Sequence, residues 1–319
     1  MKILVTGCGG MLGSAMQERL PPLGHEVIAT DLIADEPWLR PLDVRDEGAV
    51  SAKIDRIRPD AVFHLAAVTD LEWSETHPEE TAETNAYATA SIAKLCASKD
   101  LLLVYISTAG VFDGEKPTPY VETDEPAPLM VYGTTKLAGE RAVAAENGRH
   151  FVVRAGWMFG GGRKDHKFVY KIASQVEQGI ETIYAVDDKF GTATYTQDFA
   201  VNLDALIGTE AYGTYHMVCE GGCSRYDIAC EIARIMGRPE LPVERVASTH
   251  FEAEYFAPRP RSEMLENGAL RATGLNRMRP WQEAMRDYLL HNHLAGQKRG
   301  VLDVLERHSP ALWAERSRS

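Results

Sequence analysis

The sequence predicts an α/β protein built on a doubly wound parallel sheet, with a smaller, interleaved C-terminal lobe. Three observations predict it. Short apolar runs of strand length alternate with helix-spaced stretches over residues 2–155. The glycines Gly7, Gly10 and Gly13 follow the first apolar run directly. From about Gly156 the alternation loosens, and prolines at 239, 242, 258 and 260 interrupt the rest of the chain.

In chain order, "KILVTG" reads as the first strand and "GGMLGSAMQERL" as a helix from about Met11. "HEVIATD" is a second strand and "DAVFHLAA" another, with helical stretches before and after it. "ETNAYATASIAKLCASKD" has helical spacing, "LLLVYIST" is a strand, "YGTTKLAGERAVAAEN" a helix, and "FVVRAG" one more strand. Strand, helix, strand in succession forces right-handed crossovers and a parallel sheet. Beyond it, "FGGGRKDHK" is a glycine-rich basic loop and "FVYKIASQVEQG" a helix. "VDDKFGTATYTQDFAVNLDAL" reads as a turn running into a helix. The division expected is residues 1–155 for the sheet domain, with part of 190–220 returning to it, and 156–319 for the lobe. Residues 294–319 are helix-prone and charged, and read as a solvated helix or frayed tail.

Composition narrows the function. At 319 residues the chain can hold one large core or two modest ones. A formal charge of -12 repels phosphate backbones, so nucleic acid is not an expected partner. No apolar run approaches the length of a membrane span, and no secretory apolar run precedes the glycine turn. Five cysteines, at 8, 96, 219, 223 and 230, form no CxxC pair, and no second pair at ligand spacing joins Cys219 and Cys223; they suit a reducing compartment, and no metal is expected. The expected location is the cytoplasm.

Two clusters carry chemistry. A tight glycine turn that opens a helix lets backbone N–H groups approach a pyrophosphate. Asp31, at the end of "IATD", can accept hydrogen bonds from an adenosine ribose and repels a 2′-phosphate, which favours NAD(H), with NADP(H) possible. In "YGTTK", Tyr132 and Lys136 stand four apart and share a helix face. An ammonium beside a phenol favours phenolate and brings its pKa down toward a working general acid. Ser107 and Thr108, ending the strand "LLLVYIST", offer hydroxyls to polarise a carbonyl. His64, in "VFHLAA", reads as a strand histidine satisfied by local hydrogen bonds.

With these residues the chain resembles the extended short-chain dehydrogenase/reductases, and within them the dTDP-4-dehydrorhamnose reductase branch. The resemblance runs to about residue 290 through "TGCGGMLG", "LDV", "AAVTDLEWSETHPE", "STAGVFDG", "VYGTTKLAGE", "RAGWMFG", "VDDKFGTATYTQD" and "PRPRSEMLENGAL". It implies a Rossmann-type fold with Gly7, Gly10, Met11, Leu12 and Gly13 under the pyrophosphate and Asp31 at the ribose. It implies Asp43 and Val44 by the adenine, and Ala66, Ala67 and Val68 along the cofactor channel. Thr108, Tyr132 and Lys136 become the catalytic set; Thr69, Glu72, Thr108 and Trp157 face the substrate. The implied reaction is hydride transfer to the C4 ketone of a nucleotide-linked 6-deoxy sugar, in a possible homodimer. Two departures keep other readings open. Ala109 and Gly110 follow Thr108 where such reductases usually carry an aspartate, and "VFHLAA" is epimerase-like. The alternatives are an NAD-dependent nucleotide-sugar epimerase and a non-catalytic regulatory subunit of the same fold.

Overall fold

A computed structural model describes residues 1–294. The tail expected over 294–319 lies almost wholly outside these residues. The first half runs β1 (Lys2–Thr6), α1 (Met11–Arg19), β2 (Glu26–Asp31), β3 (Arg40–Pro41), α2 (Glu47–Ile57), β4 (Ala61–His64), α3 (Leu71–Thr76), α4 (Pro78–Ala82), α5 (Ala88–Ser98), β5 (Leu102–Thr108), α6 (Val131–Glu146) and β6 (His150–Ala155). The second half runs β7 (Trp157–Phe159), α7 (Phe168–Glu177), β8 (Ile183–Val186), β9 (Phe190–Tyr195), α8 (Thr196–Ile207), β10 (Gly213–His216), β11 (Gly222–Ser224), α9 (Arg225–Ile235), β12 (Val243–Val246), β13 (Ser262–Glu263), α10 (Gly268–Ala272) and α11 (Trp281–Asn292).

The main sheet has seven strands in the order β10-β6-β5-β4-β1-β2-β3. Every pairing in it is parallel. The strand period of two sorts its side chains between two cores. Ile3, Val5, Phe63, Val104 and Val153 enter one cluster; Leu4, Val62, Leu103 and Val152 enter the other. Both faces are therefore covered by helices, as a parallel sheet requires. Helices α1 and α8 lie against each other on one side, α5 and α6 on the other.

β6 leads out of this sheet to the lobe, and the chain returns to it through α8 and β10. The lobe is built on β9, which pairs in parallel with β7 and β13 and antiparallel with β11, while β8 and β12 form a separate parallel pair. The segment "FGTATY", expected as a turn, is β9 itself; the turn covers only Asp187–Lys189. Its β-branched and aromatic residues fit a pleated, buried surface, and Gly191 through Tyr195 are all buried.

Between α4 and α5 the helix widens into a π turn over Glu83–Tyr87. Such widenings re-aim single side chains and favour functional sites. Here the turn carries Asn85, fully buried, whose side-chain oxygen accepts from Val68 N at 2.8 Å and whose amide donates to Val68 O at 3.0 Å. One side chain thus fixes the backbone of the segment after β4.

Candidate active site

Five backbone segments converge at the C-terminal edge of the main sheet: the β1–α1 turn, the end of β2, the stretch after β4, the end of β5 and the start of α6. This is the edge where parallel α/β sheets place ligands. Gly7 has φ +68°, and a Cβ there would lie 2.5 Å from the Ala66 backbone. At Gly13 a Cβ would lie 2.3 Å from Cys8. Both glycines are required by packing alone. Gly10 is different: a Cβ there would meet only Gly7 O, at 3.8 Å, and no side chain caps α1. The helix start is thus open to an anion, and Met11 and Leu12 provide the first-turn N–H groups. These residues fit a dinucleotide pyrophosphate.

The remaining sequence-derived positions surround that turn. Asp31, ending β2, accepts from Gly9 N at 2.8 Å through Oδ2, so the carboxylate braces the turn itself. Asp43 is held by Arg45 through Nε and Nη2 at 2.7–3.2 Å, and that guanidinium keeps its carboxyl below the usual carboxylate range. Val44 beside it is buried in the core. Ala66, Ala67 and Val68 run half-buried after β4, and Thr69 is exposed, its carbonyl accepting from Lys167 Nζ at 3.4 Å. Glu72 pairs with Arg259 at 2.8 Å, joining α3 to the lobe.

Thr108 and Tyr132 come together, and Lys136 lies one turn further along α6. Helix α6 starts close against the end of β5, and a Cβ at Gly133 would sit 2.1 Å from Gly110 O. That approach sets Tyr132 beside Thr108, whose side chain is its hydrogen-bond partner. Burial pushes the Tyr132 phenol up to about 12, and Thr108 pulls the other way. Lys136, 3% exposed, is pushed down to about 7 by burial, against the nearby Glu140 carboxylate. Its Nζ stands 4.0 Å from the centre of the Tyr105 ring. The expected tuning therefore differs in the protein alone. Burial disfavours charge on either group, and the Glu263 carboxylate adds to it at the phenol.

Beneath this trio lies a polar layer. Glu140, one turn after Lys136, takes Arg154 in a two-pronged pair at 2.7 and 2.9 Å, and Arg154 Nη1 contacts His216 Nε2 at 3.4 Å. His64 has a threonine hydroxyl at each ring nitrogen, Thr6 at 2.8 Å and Thr89 at 3.0 Å. Burial pushes both His64 and His216 down to about 3, so both rings are neutral.

Trp157, on β7, belongs to the lobe. Its Nε1 donates to Glu263 Oε2 at 2.7 Å, and the Arg225 guanidinium lies 3.8 Å over its ring. Sequence reasoning assigned roles to neither Glu263 nor Arg225, nor to Asn85. They come from segments far apart in the chain, and only "PRPRSEMLENGAL" carried a signal. Among the described residues, no group of three or more His, Cys, Asp or Glu side chains could hold a metal ion. No described helix is long and apolar enough to cross a membrane.

Comparison with known proteins agrees across the described residues. A family model described as the RmlD substrate binding domain matches residues 1–293. A dTDP-4-dehydrorhamnose reductase of Mycolicibacterium smegmatis is 33% identical, over 90% of this chain and 84% of its own. The crystal structure of a dTDP-4-dehydrorhamnose reductase from Clostridium acetobutylicum superposes with a TM-score of 0.83 at 35% identity, covering 91% of this chain and 98% of that one. One from Bacillus anthracis, in complex with NADP, gives 0.81 at 29% identity, covering 91% and 99%.

Proposed function

The chain belongs to the RmlD substrate binding domain family, and on that premise we propose that it reduces the C4 ketone of a nucleotide-linked 4-keto-6-deoxy sugar. What supports the reading is the meeting of Thr108 with Tyr132 where α6 starts against the end of β5, with Lys136 one turn along the same helix, at the sheet edge that also carries an open helix start. A bound nicotinamide dinucleotide supplies the hydride; the chain's residues do the rest. Gly10, Met11 and Leu12 hold the pyrophosphate, and Asp31 the adenosine ribose. Thr108 Oγ1 donates to the ketone oxygen and orients it. Tyr132, a neutral phenol with its pKa near 12, is in the form that donates a proton to the oxygen as it gains charge. Lys136 lies one helical turn away; when protonated it offsets the phenolate that remains. Glu72, Thr69 and Trp157 line the sugar side.

Asp31 favours NADH over NADPH because its carboxylate repels a 2′-phosphate. The Bacillus anthracis relative was crystallised with NADP, so both dinucleotides belong in the assay. Absorbance at the reduced nicotinamide band, followed with a dTDP-4-keto-6-deoxy sugar, should show steady consumption of reduced dinucleotide, faster with NADH. Interconversion of sugars without net consumption would instead identify an epimerase. The cytoplasm and a homodimeric state accompany this reading.

A further inference from the structure

One carboxylate in the cleft has no role in the mechanism above. Glu263, on β13, comes from a segment more than a hundred residues beyond Tyr132. Its two oxygens have different surroundings. Oε2 accepts from the Trp157 indole at 2.7 Å. Oε1 lies toward the reaction centre: a carbon placed on Gly110 would touch Glu263 Oε1 at 3.7 Å and Thr108 Oγ1 at 3.4 Å. The two oxygens therefore lie near one another beside Gly110. The charge of Glu263 is also felt at the Tyr132 phenol, which it pushes up. Burial pushes the Glu263 carboxyl up, while the Trp157 indole, Arg225, Arg259 and Lys189 pull toward the ionised form that the proposal requires. An ionised carboxylate oxygen accepts hydrogen bonds only.

We propose that Glu263 is a specificity-determining residue whose free oxygen, Oε1, accepts a hydrogen bond from the hydroxyl on the sugar carbon next to the ketone. The proposal rests on the reductase reading above. With the ketone oxygen on Thr108, the group able to reach a second oxygen beside Thr108 is the substituent on the adjacent carbon. Oε2, fixed by the indole, sets the rotation of the carboxylate so that Oε1 keeps that aim. The substrate class is thereby narrowed to 4-keto sugars that retain the 3-hydroxyl, and 3-deoxy sugars are poor substrates. Sites built to bind a hydroxyl reject analogues without it strongly, because a buried polar group is then left unpaired.

The test compares kcat/KM for matched dTDP-4-keto sugars with and without the 3-hydroxyl, in the wild type, Glu263→Gln and Glu263→Ala. The wild type should prefer the hydroxylated sugar by at least a hundredfold. Glu263→Gln retains shape and an acceptor for Trp157 but loses charge, and should cut the preference about tenfold. Glu263→Ala should abolish it, with the loss falling on the hydroxylated sugar alone. A thermal melt shows that each variant is folded; if the alanine variant is not, the glutamine variant alone decides. An unchanged preference in Glu263→Gln, or equal losses on both sugars, overturns the assignment while leaving the reductase reading intact. Turnover of neither sugar by the wild type overturns both.

Discussion

Tyr132 shows how much chemistry one spacing can carry and where it stops. The interval Y-x-x-x-K placed phenol and ammonium on one helix face, and the strand end "YIST" placed a hydroxyl opposite; the structure sets Thr108 against Tyr132, with Lys136 one turn along α6. The electrostatic sign was not legible, because it depends on burial, and burial is set by Tyr105, Glu140 and the lobe. Glu263 and Arg225 were illegible for a related reason: they meet Trp157 only through tertiary packing. Replacing Tyr132 by Phe removes the proton donor and leaves the ring. We expect kcat to fall by about 10²–10⁴-fold with little change in melting temperature. A Tyr132→Phe variant that retains more than a tenth of wild-type turnover would show that the proton comes from elsewhere.

Elements carry the middle scale. Every strand of the first half except the exposed two-residue edge strand β3 follows from an apolar run, because a buried parallel strand needs apolar residues on both faces. The lobe was harder: the glycine and threonines of "FGTATY" also suit a turn, and only its three strand partners make it the lobe's central strand. The π turn at Glu83–Tyr87 has no composition signal at all, since nothing but one extra residue per turn distinguishes it. Its product is Asn85, which holds Val68 by both N–H and carbonyl and also reaches Thr135 Oγ1 at 3.3 Å. Asn85→Ala should destabilise the protein by about 1–3 kcal/mol, the cost of leaving buried backbone groups unpaired. If the segment it anchors lines the cofactor channel, as the proposed function requires, the KM for the dinucleotide should also rise more than kcat falls. Urea unfolding and steady-state kinetics on one preparation test both parts.

At the scale of the whole molecule, two buried histidines couple the sheet to pH. His64 joins β4 to β1 and α5 through threonines, and His216 joins β10 to Arg154 on β6. Each has a folded pKa of about 3 against an ordinary 6.5, so between those values the unfolded chain binds more protons than the folded one. Stability from this source is complete above about pH 6.5 and is lost as pH falls toward 3. Between pH 6.5 and 5 the loss is roughly 2 kcal/mol per histidine. Urea midpoints should decline over that interval, and His64→Gln should flatten the decline. A midpoint that holds constant from pH 7 to 5 would count against neutral histidines in the core.

The return of β10 to the sheet has a mechanical consequence. The backbone passes between sheet and lobe three times, after β6, between β9 and α8, and again after β10. No single nick can detach the lobe, and exchanging it for another would mean transplanting two separate stretches at once. With three crossings in place of one hinge, any movement of the lobe against the sheet must bend all three segments together.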